Sequence, residues 1–192
     1  MRETSTSDAD RFLALLQPIE RDLETYARRL IWEPQEAPDA LQNAVMRGFA
    51  AFDRYHEDAS FRAWMFKILT HEAFALNRKH ARIARHEFQL EPEELAGLAS
   101  AAEPVRGDSP PASLDALKEG LDPALVAGLR TLTDTERAVL LLRAVGELRY
   151  REISESLAIP LGSVMGNLSR ARQKMRAVLA RAARRTNLLK ES

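Results

Sequence analysis

The sequence predicts an all-α fold in which two helical domains are joined by an acidic flexible linker. Three observations carry that expectation. Apolar residues recur at steps of three and four through most of the chain, the spacing of a single helical face. No segment alternates apolar and polar residues with a period of two, so no sheet is expected. Between the two periodic parts lies a stretch rich in Pro, Gly, Ser, Ala and acidic residues, too poor in apolar surface to fold alone. The expected boundaries are 8–86 for the first domain, 87–112 for the linker and 113–186 for the second.

Composition narrows the class. With 192 residues, 45% of them hydrophobic and 29% charged, the chain is composed like a soluble folded protein. No run approaches the roughly 18 apolar residues of a membrane span, and Met1–Ser5 has no secretory core. A cytoplasmic location is therefore expected. The absence of cysteine excludes disulfides, thiolate nucleophiles and Cys-based zinc sites. Ser, His and Asp occur in no nucleophile motif. His56, His80 and His86 show no ligand spacing and read as surface residues. Neither catalytic residue, cofactor nor metal is expected.

In chain order, Phe12, Leu16, Ile19, Leu23, Tyr26 and Leu30 share one helical face, with Ser7 or Asp8 as cap. Pro34 and Pro38 bracket a break. A second apolar stripe follows in Leu41, Val45, Phe49 and Phe52. Tyr55–Ser60 reads as a loop ending in a cap at Ser60. A third helix spans about Phe61 to Arg85, with Phe61, Trp64, Met65, Ile68, Leu69 and Leu76 for a core. The second domain begins near Ser113. Within it, Thr133 followed three residues later by Glu136 is a capping-box start, and Val139, Leu140, Leu142 and Leu148 follow as apolar positions.

The last third carries the sharpest motif. A short helix with Ile153 and Leu157 inward is followed by a tight break at Ala158–Gly162. A longer helix then places Val164, Leu168, Ala171, Met175, Val178 and Ala182 on one face. This is the plan of a helix-turn-helix, whose second helix enters the DNA major groove. Charge agrees with it. Residues 86–125 carry 2 basic and 9 acidic residues, net −7, whereas residues 126–192 carry 13 and 6, net +7. The basic block points to a polyanionic partner.

At these residues the chain resembles the extracytoplasmic-function (ECF, group IV) sigma factors of the sigma-70 family. Leu140–Arg143, Tyr150–Ile153, Ile159–Val164 and Ser169–Arg172 are similar to the family's region 4. Asp39–Gln42 with Arg47, and Ala59–Ile68 (Ala-Ser-Phe-Arg-Ala-Trp-Met-Phe-Lys-Ile), are similar to its region 2. The resemblance implies a promoter-specificity factor that binds core RNA polymerase and promoter DNA, under the control of an anti-sigma factor.

It also implies roles for particular residues. Asp39, Gln42, Asn43 and Arg47 would form a polar rim for polymerase docking; Asn43 stands where the family usually has an acid. The loop from Tyr55 and the helix after it would open the minus-ten element. Tyr55, Ser60, Trp64, Lys67, His71, Arg78, Lys79 and Arg82 are its candidates. Trp64 is weighted toward the core, and His71 occupies a position where relatives often carry an amide. The minus-thirty-five element would meet Arg151, Ser163, Met165, Asn167, Arg170, Arg172, Lys174 and Arg176. The recognition helix departs from the family at Met165, Gly166 and Asn167, where basic or hydroxyl residues are common, and Ala158 replaces the frequent turn glycine. Two rival readings follow from those departures and from the motif's wide use: a sigma-like decoy that titrates an anti-sigma factor, and a free-standing helix-turn-helix regulator.

Overall fold

The structure is a computed structural model and describes residues 6–56, 60–88 and 123–188. The expected linker at 87–112, and the start of the second domain near Ser113, fall largely outside them. Every regular element among the described residues is helical. The first module comprises α1 (Thr6–Leu16), α2 (Glu20–Leu30), α3 (Ala37–Ala50) and α4 (Phe61–Phe88). The second comprises α5 (Pro123–Arg130), α6 (Asp134–Ala144), α7 (Tyr150–Leu157) and α8 (Leu161–Leu188).

Local chemistry explains most boundaries. The stripe from Phe12 to Leu30, read as one helix, is two helices interrupted by a 3-10 turn at Gln17–Ile19. Pro18 is the cause: it lacks the N–H that a continuous α-helix needs and clashes with the preceding turn. Because α1 starts at Thr6, Asp8 sits in its first turn, near the positive helix end, and is not the cap. Ser60 does cap α4, its hydroxyl accepting from the Ala63 N–H at 3.2 Å. Thr133 and Glu136 close the expected capping box on α6, at 3.2 and 3.0 Å.

In the first module α3 packs against both α2 and α4, which also meet each other, and its most buried line is Ala37, Ala40, Ala44 and Gly48. Leu41, Val45 and Phe49 flank that line and are half-buried. The small residues permit close approach: a Cβ on Gly48 would meet the Met65 sulfur at 2.7 Å. Rings fill one end of the core, with Phe12 edge-on to Phe49, Phe52 and Phe61 at 5.3–5.6 Å. Two buried polar anchors tie α4 to the α2 end. Thr70 donates to the Phe66 carbonyl at 2.6 Å and accepts the Tyr26 hydroxyl at 2.7 Å. Asn77 accepts the Trp32 N–H at 3.0 Å and donates to the Leu30 carbonyl at 3.2 Å. His80, read from sequence as a surface residue, is half-buried and contacts Glu36 through Nε2 at 2.6 Å.

The second module is aliphatic. Val126, Leu129, Leu132, Val139, Leu142, Leu148, Ile153, Val164 and Leu168 are buried. Gly128 of α5 repeats the device of Gly48, since a Cβ there would lie 2.7 Å from the Met175 sulfur.

The two modules pack on one another. Helix α4 lies against α7 and α2 against α6, and buried residues from both modules form one cluster. Two side chains fasten the contact. The Trp32 indole N–H donates to Asp134 Oδ1 at 3.0 Å. Arg62, three-quarters buried, donates from Nε to the Gly146 carbonyl at 2.6 Å. Its Nη2 donates to the Val145 carbonyl at 2.9 Å and to Asp22 at 2.6 Å.

Candidate nucleic-acid interface

Helix α3 presents Asp39, Gln42, Asn43 and Arg47, all exposed, at spacings that place them on one face with the exposed Met46. Arg47 reaches across to Glu72 on α4 at 2.6 Å, so this face is tied to the helix behind it.

On α4, Lys67, His71, Arg78 and Arg82 are exposed and fall within about 60° of one another at 3.6 residues per turn. This row stands roughly opposite the buried row of Met65, Leu69, Ala73 and Asn77. Lys79, also exposed, lies to one side. Among the described residues none of these five side chains has a recorded partner, so the row is a line of solvated cations beside an imidazole. At its N-terminal end the half-buried Tyr55 and Trp64 meet, ring centroids 5.4 Å apart, on the outer side of Phe61. Trp64 thus belongs to the rim of the aromatic core and not to its centre. Residues 57–59 of the loop lie outside the described residues, so the loop expected to hold a base is described only at Tyr55, His56 and Ser60.

The α7–α8 pair has the expected helix-turn-helix geometry. Ala158 adopts the left-handed conformation, φ 51° and ψ 44°, in the place where the sequence lacks a glycine. That conformation costs an L-residue roughly 1–2 kcal/mol. Ser154 braces the turn twice, accepting the Ile159 N–H at 3.1 Å and donating its hydroxyl to the Ile159 carbonyl at 2.6 Å. Val164, Leu168, Ala171 and Met175 form the buried side of α8.

The α8 candidates, grouped together from sequence, divide into two flanks. Met165, Arg172 and Arg176 share one; Ser163, Asn167, Arg170 and Lys174 share the other, about 160–180° away at 3.6 residues per turn. Gly166 lies between them on the outward side. On the first flank Met165 is 49% exposed, and Arg172 and Arg176 rim an apolar groove of about 590 Å³ with Arg29 of α2. Arg151 of α7 is exposed.

The second flank is not free. Glu136, whose side chain is only 4% exposed, receives Lys174 Nζ at 2.6 Å and faces Arg170 Nε at 3.4 Å. Arg170 Nη2 donates to Asn167 Oδ1 at 3.0 Å, and Asn167 Nδ2 donates to the Ser163 carbonyl at 2.8 Å. Burial pushes the Glu136 carboxyl up, but Lys174, the Thr133 N–H and Arg170 together outweigh it and hold the group below the ordinary carboxylate value. Sequence reasoning assigned Glu136 to its cap alone. Its other partners, 34 and 38 residues away, leave no local signature. Arg62 and Trp32 were missed as fasteners for the same reason.

Comparison with known families decides the relationship. The sigma-70 region 2 model matches residues 15–83 and the sigma-70 region 4 model matches residues 124–175. ECF RNA polymerase sigma factor SigG of Mycobacterium tuberculosis is 26% identical over 96% of this chain. ECF RNA polymerase sigma factor SigW of Bacillus subtilis is 24% identical over 93% of it.

The chain belongs to the ECF-type sigma-70 family.

Its first module is region 2 and its second is region 4. The chain spans about half the length of the M. tuberculosis relative (53%) and 94% of the B. subtilis one. Two solved structures share the fold. RpoE of Bartonella quintana, in complex with the anti-sigma factor NepR, superposes with a TM-score of 0.67 at 22% identity, covering 91% of this chain and 98% of that one. CnrH, in complex with the cytosolic domain of CnrY, gives 0.57 at 21%, covering 88% and 87%. No helix among the described residues is long and apolar enough to cross a membrane.

Proposed function

We propose that this chain is a promoter-specificity factor and not an enzyme. It binds core RNA polymerase through the exposed face of α3, opens the minus-ten element with α4 and the loop before it, and reads the minus-thirty-five element with α8. It acts in the cytoplasm and needs no cofactor or metal. The observation that carries this reading is the presence, in one chain, of a solvated cation row on α4 and a complete helix-turn-helix at α7–α8. The row suits a separated strand, whose backbone is tracked by cations and whose bases stack on rings such as Tyr55 and Trp64. The helix-turn-helix suits duplex. The complex of RpoE with the anti-sigma factor NepR supports an anti-sigma factor as the regulatory partner.

The packing of the two modules adds a requirement. The two promoter elements are about 25 base pairs apart by their names, roughly 85 Å of duplex. A compact chain of this length has a radius of gyration of about 16 Å. The packed arrangement therefore reaches one element at a time, and engagement of both requires the modules to part. Residues 89–122 contain backbone enough to reach roughly 110 Å.

Run-off transcription with purified core polymerase tests the function. The chain should direct initiation from promoters that core alone ignores. Binding to core without any promoter-directed transcript would favour the decoy, which the side-chain-free Gly166 at the outward side of α8 also favours. DNA binding without affinity for core would favour the free-standing regulator.

A further inference from the structure

Glu136 does more than cap α6. It lies at one end of a continuous path that crosses from the second module's scaffold to the first turn of α8. From the carboxylate the path runs to the Arg170 guanidinium at 3.4 Å, to the Asn167 amide oxygen at 3.0 Å, and from the amide nitrogen to the Ser163 carbonyl at 2.8 Å. Lys174 holds the other carboxylate oxygen at 2.6 Å. Glu136 is itself fixed by the Thr133 N–H and by burial.

The path has a chemical consequence for Asn167. An amide carries two N–H donors and an oxygen with two lone pairs. Here one donor and one lone pair are used within the protein, which leaves one of each for a base edge. Bidentate recognition of adenine requires one donor and one acceptor, side by side. Arg170 accepts nothing, so it can meet only the oxygen, and the Ser163 carbonyl donates nothing, so it can meet only the nitrogen. The amide is thereby prevented from turning end over end.

We infer that Glu136 is a positioning residue for promoter reading: by anchoring Arg170 it fixes which edge Asn167 presents, and it sets α8's specificity at one base pair without touching DNA. The inference rests on the proposed promoter-reading role of α8. It also assigns Lys174 and Arg170 a reduced share of phosphate binding, because one buried carboxylate neutralises part of their charge.

The test uses the full chain bound to core polymerase and a duplex library randomised across the minus-thirty-five region, read by sequencing of the bound fraction. A selected duplex then gives the salt dependence. Wild type should enrich one base strongly at a single position that Asn167→Ala abolishes. Glu136→Gln should lower that enrichment fivefold or more, leave other positions unchanged, and steepen the salt dependence by roughly one unit of slope as a cation is released. Arg170→Ala, which leaves the Thr133 and Lys174 contacts of Glu136 intact, should lower the same enrichment. Lys174→Ala should not. In the Arg170→Ala background, Glu136→Gln should have no further effect on that position.

A Glu136→Gln chain with weaker binding to every duplex and an unchanged base profile would assign the residue to helix capping alone and overturn the inference. Should that variant fold poorly, an unchanged profile in Arg170→Ala overturns it equally. If wild type enriches no upstream sequence at all, the promoter-reading role of α8 fails, and the inference fails with it.

Discussion

The two modules solve the same packing problem and present charge in opposite ways. In each, a glycine on one helix faces a buried methionine on another: Gly48 with Met65, Gly128 with Met175. In each, a long terminal helix carries the candidate DNA contacts. Region 2 surrounds its core with rings and leaves Lys67, Arg78, Lys79 and Arg82 of α4 exposed, with no partner among the described residues. Region 4 has an aliphatic core and draws two of its α8 cations onto a buried carboxylate. The difference fits the proposed targets. A separated strand is pliable and gains from mobile charges and stacking surfaces. A duplex groove is rigid, and sequence discrimination there depends on side chains held in place.

The largest expected effect concerns the contact between the modules. In a chain cut at an engineered protease site between Ala99 and Ala112, the two halves should stay together on gel filtration. Arg62→Ala removes three hydrogen bonds from a charged group, two of them to region 4, and should weaken the association by about 3 kcal/mol. Halves that co-elute equally with and without Arg62 would show that the latch lies elsewhere.

A second measurement sharpens the contrast in charge. Arg78→Ala on the single-strand side, and Arg172→Ala on the duplex side, should each flatten the salt dependence of promoter binding by somewhat less than one unit. Lys174→Ala should change that slope little, because Glu136 already balances its charge, and should show its effect as lower thermal stability of the chain. Equal slopes for Lys174→Ala and Arg172→Ala would remove the distinction between the flanks of α8.

Acid should act on region 4 through Glu136. Its folded-state proton affinity is depressed, so its stabilising contribution is complete above about 4.5 and is lost as pH falls further through the folded value. Glu136→Gln should accordingly flatten the fall of melting temperature below pH 4.5. An unchanged acid limb would mean that other carboxylates control it. The smallest effect is expected at the turn. Ala158→Gly relieves the left-handed strain but gives the unfolded chain more freedom, and should stabilise by about 0.5–1 kcal/mol.

What was legible in the sequence was local. Ser60 and Thr133 act within three residues of themselves, and Ala158 announces its strain by standing in a turn that wants glycine. The helical class and the helix-turn-helix follow from the same short-range periodicity. Pro18 was also local, but the apolar stripe running through it masked the break. The contacts that give the candidate interface its character join distant segments: Arg62 to residues 145 and 146, Trp32 to Asp134, Glu136 to Lys174. Arg62, Asp134, Glu136 and Lys174 are ordinary exposed-type residues by composition, and whether such a side chain is drawn inward depends on how helices pack. The division of α8 into two flanks was recoverable from 100° geometry, yet which flank met a carboxylate was not.

The Arg62 latch has a consequence for how the chain tolerates mutation. Two of its three bonds end on main-chain carbonyls at the end of α6, Val145 and Gly146. A substitution at Val145 leaves its carbonyl in place, whereas at Gly146 a Cβ would meet the Leu142 carbonyl oxygen at 2.7 Å, so on that side the target is a single glycine. On the other side a single codon holds all three. The arrangement predicts an asymmetric genetic map. Variants that free the modules from one another should accumulate at Arg62 and its supports in region 2 and, on the receiving side, at Gly146 alone, while Val145 can change its side chain and keep the bond that its carbonyl accepts.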